Sequence, residues 1–399
     1  MKNKARRQFF SAIVTSAAQA PEAEDGHLQD PDELDDVEEV VDGVNAAGDA
    51  KKKKKKKKPV EAFSRGKIPE GEIQPYKDDN LWRTTSEEKR HIERVIQEDP
   101  NETYQNIRKA GEVHRQVRQR LQKYIQPGMS LMEIANYIED GVRALVEEDG
   151  LEAGIAFPTG LNLNHCAAHF SPNPGDTTSM CNKSIIKIVS SSGRIVDSAF
   201  TINFEPTYNK LLEAVRASTN AGIKESGVDA RLGEIGGVIQ ETMESYEVEV
   251  DGKVYPVRCI DNLSGHQINR YQIHGEKFIL PVRNDDQTKM EEGEYYAIET
   301  FGTTGRGRIG DCSHFARKVD APHVPLRLTA AKSLLKTINK NFSTLAFCRR
   351  YLERAGETKH LLADYPPLCD QRGSMTAQFE HTILIRPTVK EVVSRGDDY

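Results

Sequence analysis

The chain has 399 residues, a net charge of −6 and a hydrophobic content of 37%, which is ordinary for a globular enzyme. No apolar run approaches the ~18 residues that a membrane-spanning helix needs, so no membrane association is expected. The six cysteines are scattered without a C-x-x-C pair or a dense framework, which favours reduced thiols over a disulfide scaffold.

Charged residues concentrate in the first part of the chain. Acidic residues crowd Glu22–Asp49, and eight lysines follow at Lys51–Lys58. Such blocks cannot bury apolar surface, so residues 1–84 are predicted to form a disordered tail and residues 85–399 a folded catalytic domain. The lysine run could bind ribosome or RNA phosphates, or it could serve as a solvated spacer. No aromatic residues interleave with it, which argues against base-specific binding.

The first twenty residues carry basic side chains, no acid and a short apolar stretch that precedes Ala18-Gln19-Ala20. This composition resembles a weak organellar targeting peptide. The apolar stretch is short for secretion, so a cytoplasmic protein with a disordered N-terminus is the preferred interpretation, and organellar targeting is the alternative.

From about Thr85 the sequence becomes periodic. Apolar residues recur at helical spacing over Ile107–Ile125, and Gln126-Pro127-Gly128 ends that helix. A capping box at Ser130–Glu133 begins a second helix that reaches Leu145.

Strands and helices alternate over the rest of the chain. Strands are predicted near Ile185–Val189, Ile195–Phe204, Val248–Val257, Tyr295–Phe301 and Phe379–Ile385, and helices near Leu211–Gly222, Gly233–Glu244 and Ala331–Ala355. Strands followed by helices, repeated twice, predict an α+β domain of two similar halves.

Three carboxylates and one imidazole lie in or beside predicted strands: Asp197, His266, Glu299 and Glu380. Acids in apolar strands need a partner or a metal, because an unpaired buried charge is costly. Carboxylate oxygens and an imidazole nitrogen on rigid elements can hold a divalent ion and leave positions open for water. Each acid alone could be a paired structural or solvent-facing carboxylate, and the combination with His266 favours the metal site.

Two further histidines are candidates for substrate contact. The even spacing of His266 and His274 predicts that both rings lie on one side of an extended segment, one binding metal and the other substrate. The alternative is a loop histidine beside a strand histidine without a shared site. Small residues before His169 permit close approach of a ligand. Its neighbour Cys166 indicates neither zinc nor Cys-His catalysis, since no cysteine-rich pair follows and nothing orients a thiolate.

At these residues the chain resembles the type 2 methionine aminopeptidases, over about Ile92 to Tyr399. The motifs are Phe157-Pro158-Thr159-Gly160, Cys166-Ala167-Ala168-His169, Gly175-Asp176-Thr177-Thr178, Met290-Glu291-Glu292-Gly293-Glu294, Thr344-Leu345-Ala346-Phe347-Cys348-Arg349-Arg350 and Ser394-Arg395-Gly396-Asp397-Asp398-Tyr399. The acidic and polylysine N-terminus is similar to that of eukaryotic members. The resemblance implies the pita-bread fold, an α+β domain with pseudo-two-fold symmetry, and a type 2 helical insertion at about Leu328–Leu368.

The resemblance also implies an activity: metal-dependent removal of the initiator methionine from nascent proteins with a small second residue, by a monomer. It implies that Asp197 and Glu380 bridge two ions of cobalt, manganese, zinc or iron. His266 would be a further ligand, and Glu299 both a ligand and a proton shuttle. His169 and His274 would contact the scissile amide. The expected lining of the methionine pocket is Phe157, Ile273, His314, Ala346 and Tyr365.

The chain departs from the family pattern at one metal ligand. The family has a Lys-Ile-Asp-Phe-Gly strand whose aspartate chelates the second ion, whereas Lys187-Ile188 is followed here by Val189, and no acid occurs between Asn182 and Val196. Because that aspartate serves mainly one ion, one bound ion is predicted instead of two. A gene-model error, a splice variant or real divergence would each explain the gap.

Two other functions remain open from the sequence. A catalytically impaired pita-bread protein could bind ribosome or RNA through its tail and surface. The loss of one ligand favours this pseudoenzyme, and the presence of the other ligands, both substrate histidines and the pocket argues against it. A related proline-directed peptidase is disfavoured by the type 2 motifs.

Overall fold

The computed structural model describes residues 68–99, 102–146, 149–179, 188–189, 193–309, 314–320, 325–326, 328–354 and 368–399. Several sequence-based predictions therefore lie outside the described residues. They are the tail up to residue 67 with its lysine run and targeting-like start, most of the segment around the missing aspartate, and Tyr365.

The secondary structure mixes helices and strands along the whole described chain. The strands are β1 (Glu72–Gln74), β2 (Cys166–Ala168), β3 (Ile188–Val189), β4 (Ile195–Val196), β5 (Glu247–Val250), β6 (Lys253–Pro256), β7 (Arg258–Cys259), β8 (Gly265–Ile268), β9 (Phe278–Ile279), β10 (Tyr295–Thr303), β11 (Leu368–Cys369), β12 (Thr376–Ile385) and β13 (Lys390–Val392). The helices are α1 (Trp82–Thr85), α2 (Glu87–Gln97), α3 (Thr103–Tyr124), α4 (Leu131–Leu145), α5 (Asn209–Glu225), α6 (Leu232–Glu244), α7 (Thr329–Asn341) and α8 (Arg349–Arg354).

An antiparallel sheet forms the centre of the fold. Among the described residues its strand order is β1-β13-β12-β10-β8-β9, and β7 pairs with one end of β10. The two longest strands, β10 and β12, lie side by side and are buried along their whole length. Antiparallel neighbours place directly opposite residues on the same face, so this pair can present several side chains to one point.

Helices cover the sheet and begin where the sequence predicts. The Ser130 hydroxyl accepts a hydrogen bond from Glu133 N at 3.1 Å, which confirms the predicted cap of α4. Helices α3 and α4 pack together through fully buried residues such as Leu121 and Ile138. Helix α5 packs on β10 and β12, where the Thr219 hydroxyl donates to Phe379 O at 3.1 Å. The predicted helices α3 to α6 are confirmed.

Three predicted elements differ in the structure. The strand expected over Val248–Val257 is a hairpin, because Asp251 (φ 51°) and Gly252 (φ 75°) form a tight left-handed turn between β5 and β6. The helix expected over Ala331–Ala355 breaks after Asn341, and Ser343 adopts a positive φ of 53°. The strand expected over Ile195–Phe204 ends at Val196, since the backbone of the next residue bonds to a side chain of β12.

The predicted boundary at residue 85 is wrong, because the segment from residue 68 to residue 85 is folded. Strand β1 pairs with β13 at the edge of the sheet. Gly71 N donates to Glu391 Oε1 at 2.8 Å, and the Tyr76 hydroxyl donates to Arg386 O at 2.5 Å. We call residues 68–85 the N-terminal strap. Its contacts join residues more than 300 positions apart, which a local periodicity cannot reveal.

A buried ion-pair network fixes the strap. Glu391 is fully buried and lies 2.8 Å from Arg108 and 2.9 Å from Arg386, and Arg386 also pairs with Glu70 of the strap. Burial raises the pKa of Glu391, but hydrogen bonds from Arg108 and Gly71 and the charge of Arg386 outweigh it and hold the pKa below its usual range. Stability from this carboxylate is therefore present above its unfolded pKa and is lost as pH falls through the folded one.

Among the described residues, no helix combines the length and the apolar character that crossing a bilayer requires. Burial raises the pKa of the Cys259 thiol to about 12, so this side chain stays protonated and unreactive at neutral pH.

Two deletions separate the strap from the tail. Deleting residues 1–67 is expected to leave the melting temperature nearly unchanged, because the charged tail cannot bury apolar surface. Deleting residues 1–85 removes the hydrogen bonds that the strap donates to Glu391 and to Arg386 O, at about 1–3 kcal/mol each, so the melting temperature should fall by roughly 5–10 degrees. Calorimetry on both proteins checks this. Equal melting temperatures would show that the strap adds no stability.

Candidate metal centre

Four polar side chains converge on the middle of the central sheet. Glu299 of β10 and Glu380 of β12 are directly opposite in register. His266 of β8 is paired with Ala297, two positions from Glu299 on the same face. Asp197 follows β4, and the bridge between Ala199 and Glu380 brings it to β12. All four side chains are buried.

The separations between these groups suit one small cation. Ligand atoms of Asp197, His266 and Glu380 all lie within 4.8 Å of one another. His266 Nε2 is 3.9 Å from Asp197 Oδ2 and 3.4 Å from Glu299 Oε1, so Glu299 lies beside this triad. Three carboxylates this close together in a buried site repel one another unless a cation lies between them. Oxygen donors with one imidazole nitrogen fit a divalent ion.

The backbone orients the imidazole for metal binding. His266 Nδ1 is 3.2 Å from Gln267 O, so Nδ1 carries the proton and donates to this carbonyl. Nε2, the atom that faces the carboxylates, then presents its lone pair. This is the arrangement by which proteins fix the tautomer of a ligating histidine.

Two residues of β12 hold the carboxylates and were missed by the sequence analysis. Thr382 Oγ1 accepts from Asp197 N at 2.8 Å and donates to Asp197 O at 2.7 Å. Gln378 Nε2 donates to Glu299 Oε2 at 2.8 Å and lies 3.5 Å from Glu380 Oε2. Both residues are two positions from Glu380, so the period of two in a strand was the signal that could have found them.

A cluster of aromatic rings adjoins the carboxylates. The Phe157 ring lies 5.4 Å from His169, 5.1 Å from His314 and 6.3 Å from His274, measured between centroids. The His274 ring lies 4.5 Å from that of His266 in an edge-on arrangement. The ring cluster therefore extends from the His266 imidazole to Phe157. His169 holds a positive φ of 63°, directly after β2.

His266 and His274 lie in contact, but the chain between them is not extended as predicted. Strand β8 ends at Ile268, and Asn269 N donates to Gln272 O at 2.8 Å. Gly275 N donates to Gln267 O at 2.7 Å, which closes the turn. The prediction of an extended segment is wrong, because a tight turn folds the chain back and brings His274 against His266.

Most of the residues expected to line the pocket lie together. Phe157, Ile273 and Ala346 belong to one buried apolar cluster, and His314 packs edge-on against Phe157. Tyr365 is outside the described residues. Phe157, Ile273 and Ala346 thus form an apolar surface, called the apolar bed below, beside the buried candidate metal ligands.

Comparison with known proteins identifies the family. Residues 105–387 match metallopeptidase family M24. The chain belongs to this family. An M24 metallopeptidase requires a divalent metal ion, in agreement with the donor set formed by Asp197, His266 and Glu380.

Individual relatives cover most of this M24 peptidase. It is 71% identical over 354 residues to Methionine aminopeptidase 2 of Schizophyllum commune, and the match covers 84% of this chain and 84% of that protein. It is 55% identical over 357 residues to Methionine aminopeptidase 2A of Arabidopsis thaliana, covering 85% and 80% of the two chains. A crystal structure of methionine aminopeptidase from Thermotoga maritima, 20% identical, superposes with a TM-score of 0.50 over 74% of this chain and 98% of that one. The α+β fold is thus the pita-bread fold, as predicted.

Metal removal should destabilise the protein through this centre. A divalent ion at about 100 times its Kd adds about 2.7 kcal/mol, so adding manganese to chelator-stripped protein should raise the melting temperature by roughly 5–10 °C. Glu380→Gln removes one donor and should abolish most of that shift. The control is Glu294→Gln, a half-buried carboxylate that bonds Gln267 and Tyr296, and it should keep the shift. A full shift in Glu380→Gln would place the ion elsewhere.

Proposed function

We propose that this M24 peptidase is a methionine aminopeptidase, which removes the initiator methionine from nascent chains whose second residue is small. The observation that carries the proposal is the 4.5 Å contact between the His266 and His274 rings. It joins the buried donor set to the apolar bed around Phe157, so a side chain in that bed would place its peptide bond beside the donors. The high identity to proteins named methionine aminopeptidase 2 supports the same activity.

Glu299 is suited to move the proton. When bound, a divalent ion supplies Lewis-acid polarisation and lowers the pKa of water. Glu299 Oε1 is 3.4 Å from His266 Nε2, at the border of the triad, while Oε2 accepts a hydrogen bond from Gln378. One carboxylate oxygen is thus anchored and the other faces the reacting groups. Glu299 would accept a proton from the attacking water and return it to the leaving amine.

The two substrate-facing histidines are suited to bind the amide. His274 is exposed and adjoins His266, so it can donate a hydrogen bond to the oxygen on which negative charge develops. The His169 ring packs against Phe157 with centroids 5.4 Å apart, and His169 would contact the peptide nitrogen. Each contact fixes the scissile bond against the carboxylates, which favours the transition state over free substrate.

The apolar bed accounts for the choice of methionine. An unbranched thioether side chain fits a pocket of Phe157, Ile273 and Ala346, and sulfur interacts favourably with aromatic ring edges. Beyond the first residue, the rings of His169 and His314 pack against each other with centroids 5.3 Å apart and would form a wall that disfavours a large second side chain.

We also propose that Asp197, His266, Glu299 and Glu380 hold one ion per chain. All four match family ligands, whereas the family's further aspartate has no counterpart between Asn182 and Val196. A missing Lewis-acid contact removes several kcal/mol of transition-state stabilisation, and each 1.36 kcal/mol is a factor of ten in rate. Activity is therefore expected about two orders of magnitude below that of a dinuclear centre.

A peptide assay tests the activity. Wild-type protein supplied with cobalt, manganese or zinc should release methionine slowly from peptides that begin Met-Ala, Met-Gly or Met-Thr. His169→Ala should abolish release, since it removes a contact to the scissile amide, while His165→Ala changes a nearby histidine and should retain it. Inserting Asp-Phe-Gly between Ile188 and Val189 should raise the rate sharply.

The outcomes distinguish the candidate functions. If neither the wild-type protein nor the repaired variant releases methionine, the aminopeptidase proposal fails. If only the repaired variant is active, the natural sequence is a pseudoenzyme on a peptidase scaffold. Loss of activity in His165→Ala as well would attribute the effect of His169→Ala to general damage in that loop.

The lysine run gives a second, independent proposal about partners. Lys51–Lys58 would bring the enzyme to ribosomes by contact with RNA phosphates, and the support is its charge density. Co-sedimentation with ribosomes should weaken as salt rises and when the eight lysines are replaced by serine. Equal co-sedimentation of both proteins at low salt would refute this tether.

A further inference from the structure

Tyr399 lies in a nest of rings behind the metal centre. Its ring stacks on His381 with centroids 4.6 Å apart, and it contacts Phe200 at 5.5 Å and Phe379 at 5.8 Å. Two of these partners, Phe379 and His381, are the immediate neighbours of Glu380. The tyrosine therefore contacts β12 on both sides of Glu380, a proposed metal ligand.

The pleat of β12 separates the two sides of this contact. Gln378, Glu380 and Thr382 share the face on which the carboxylates meet. Phe379 and His381 point to the other face, because successive side chains of a strand alternate. The Tyr399 ring thus supports β12 from the face opposite the metal donors and competes with none of them for the ion.

The Tyr399 hydroxyl reaches the backbone of Glu380. It donates to Glu380 O at 3.4 Å. The phenol oxygen is therefore linked to the backbone at one of the proposed carboxylate ligands.

A buried histidine holds the chain on both sides of Asp197. Ser198 Oγ is 2.8 Å from His114 Nδ1, and His114 Nε2 donates to Val196 O at 2.9 Å. Both neighbours of Asp197 are thus bonded to one imidazole, which is itself fully buried. Connected hydrogen bonds of this kind rigidify a buried site when every member is satisfied.

An arginine of α3 holds Tyr399 in place. The Arg118 guanidinium lies over the Tyr399 ring, 4.4 Å from its centroid. It donates to both oxygens of Asp398 at 2.6 and 2.7 Å and to Ser394 O at 2.7 Å. Arg118 is fully buried, so these bonds offset the cost of removing its charge from water. The segment that carries Tyr399 is therefore fixed to the helical layer.

We propose that Tyr399 is a positioning residue of the metal centre: held by Arg118, it packs on Phe379 and His381 and fixes the backbone of β12 at Glu380. The inference rests on the proposed metal centre and deepens it. Residues that orient ligands without touching the metal typically contribute 10–100-fold to metal affinity. Loss of the phenol oxygen should let the Glu380 carboxylate drift from the position that it shares with Asp197 and His266.

The test compares two conservative variants. Tyr399→Phe keeps the ring and its contact with Arg118 but removes the hydroxyl. Tyr76→Phe is the matched control, since it also removes a buried phenol hydroxyl that donates to a backbone carbonyl, in this case Arg386 O. Isothermal titration of manganese into each chelator-stripped protein gives the Kd, and melting temperatures report the loss of stability.

Tyr399→Phe should raise the Kd for manganese by about tenfold or more, while Tyr76→Phe leaves it unchanged despite a similar fall in melting temperature. In the peptide assay, excess manganese should restore the kcat of Tyr399→Phe without a change in KM. Equal Kd values for Tyr399→Phe and wild type would overturn the inference alone, as would an equal weakening in Tyr76→Phe. A wild-type protein that binds no manganese would overturn the metal centre and this inference with it.

Discussion

The crowding of three buried carboxylates around one imidazole is the constraint on which the site depends. Asp197, Glu299 and Glu380 come from different segments, and their charges have no access to bulk water. The register of β10 and β12 and the bridge between Ala199 and Glu380 place these side chains together. A divalent ion bound between them would offset the repulsion between the three carboxylates.

Strand β12 organises the surroundings of that constraint. One face carries Gln378, Glu380 and Thr382, which provide a ligand and hold the other carboxylates. The other face carries Phe379 and His381, which pack on Tyr399. A single strand therefore links the donors to the helical layer through Arg118. The apolar bed around Phe157 reaches His266 through His274, so substrate binding and chemistry would meet at one histidine pair.

The sequence reveals the parts of the fold that follow from local pattern. The helical periods of α3 to α6, the Ser130 cap and the apolar strands β10 and β12 are all visible in the sequence. The Asp251-Gly252 dipeptide is also a strong hairpin signal, and it divides the single strand predicted over Val248–Val257 into two. The N-terminal strap could not be predicted, because its partners lie about 300 residues away.

The candidate site divides in the same way. Residue type and the family resemblance single out the four donors, and the structure brings them together. The residues that position the donors show no distinctive local pattern. His114 lies on the buried face of helix α3, and Tyr399 lies outside the strands next to Asp197 and Glu380. Their roles depend on tertiary contacts, and no local or periodic pattern in the sequence predicts such contacts.

Metal content measured on the purified protein is the most direct test of a single-ion centre formed by these donors. Protein loaded with manganese, freed of excess ion and analysed by plasma mass spectrometry should retain one ion per chain. Two tightly held ions would contradict the single-ion centre and would mean that another group replaces the missing aspartate. No retained ion would contradict the metal centre itself.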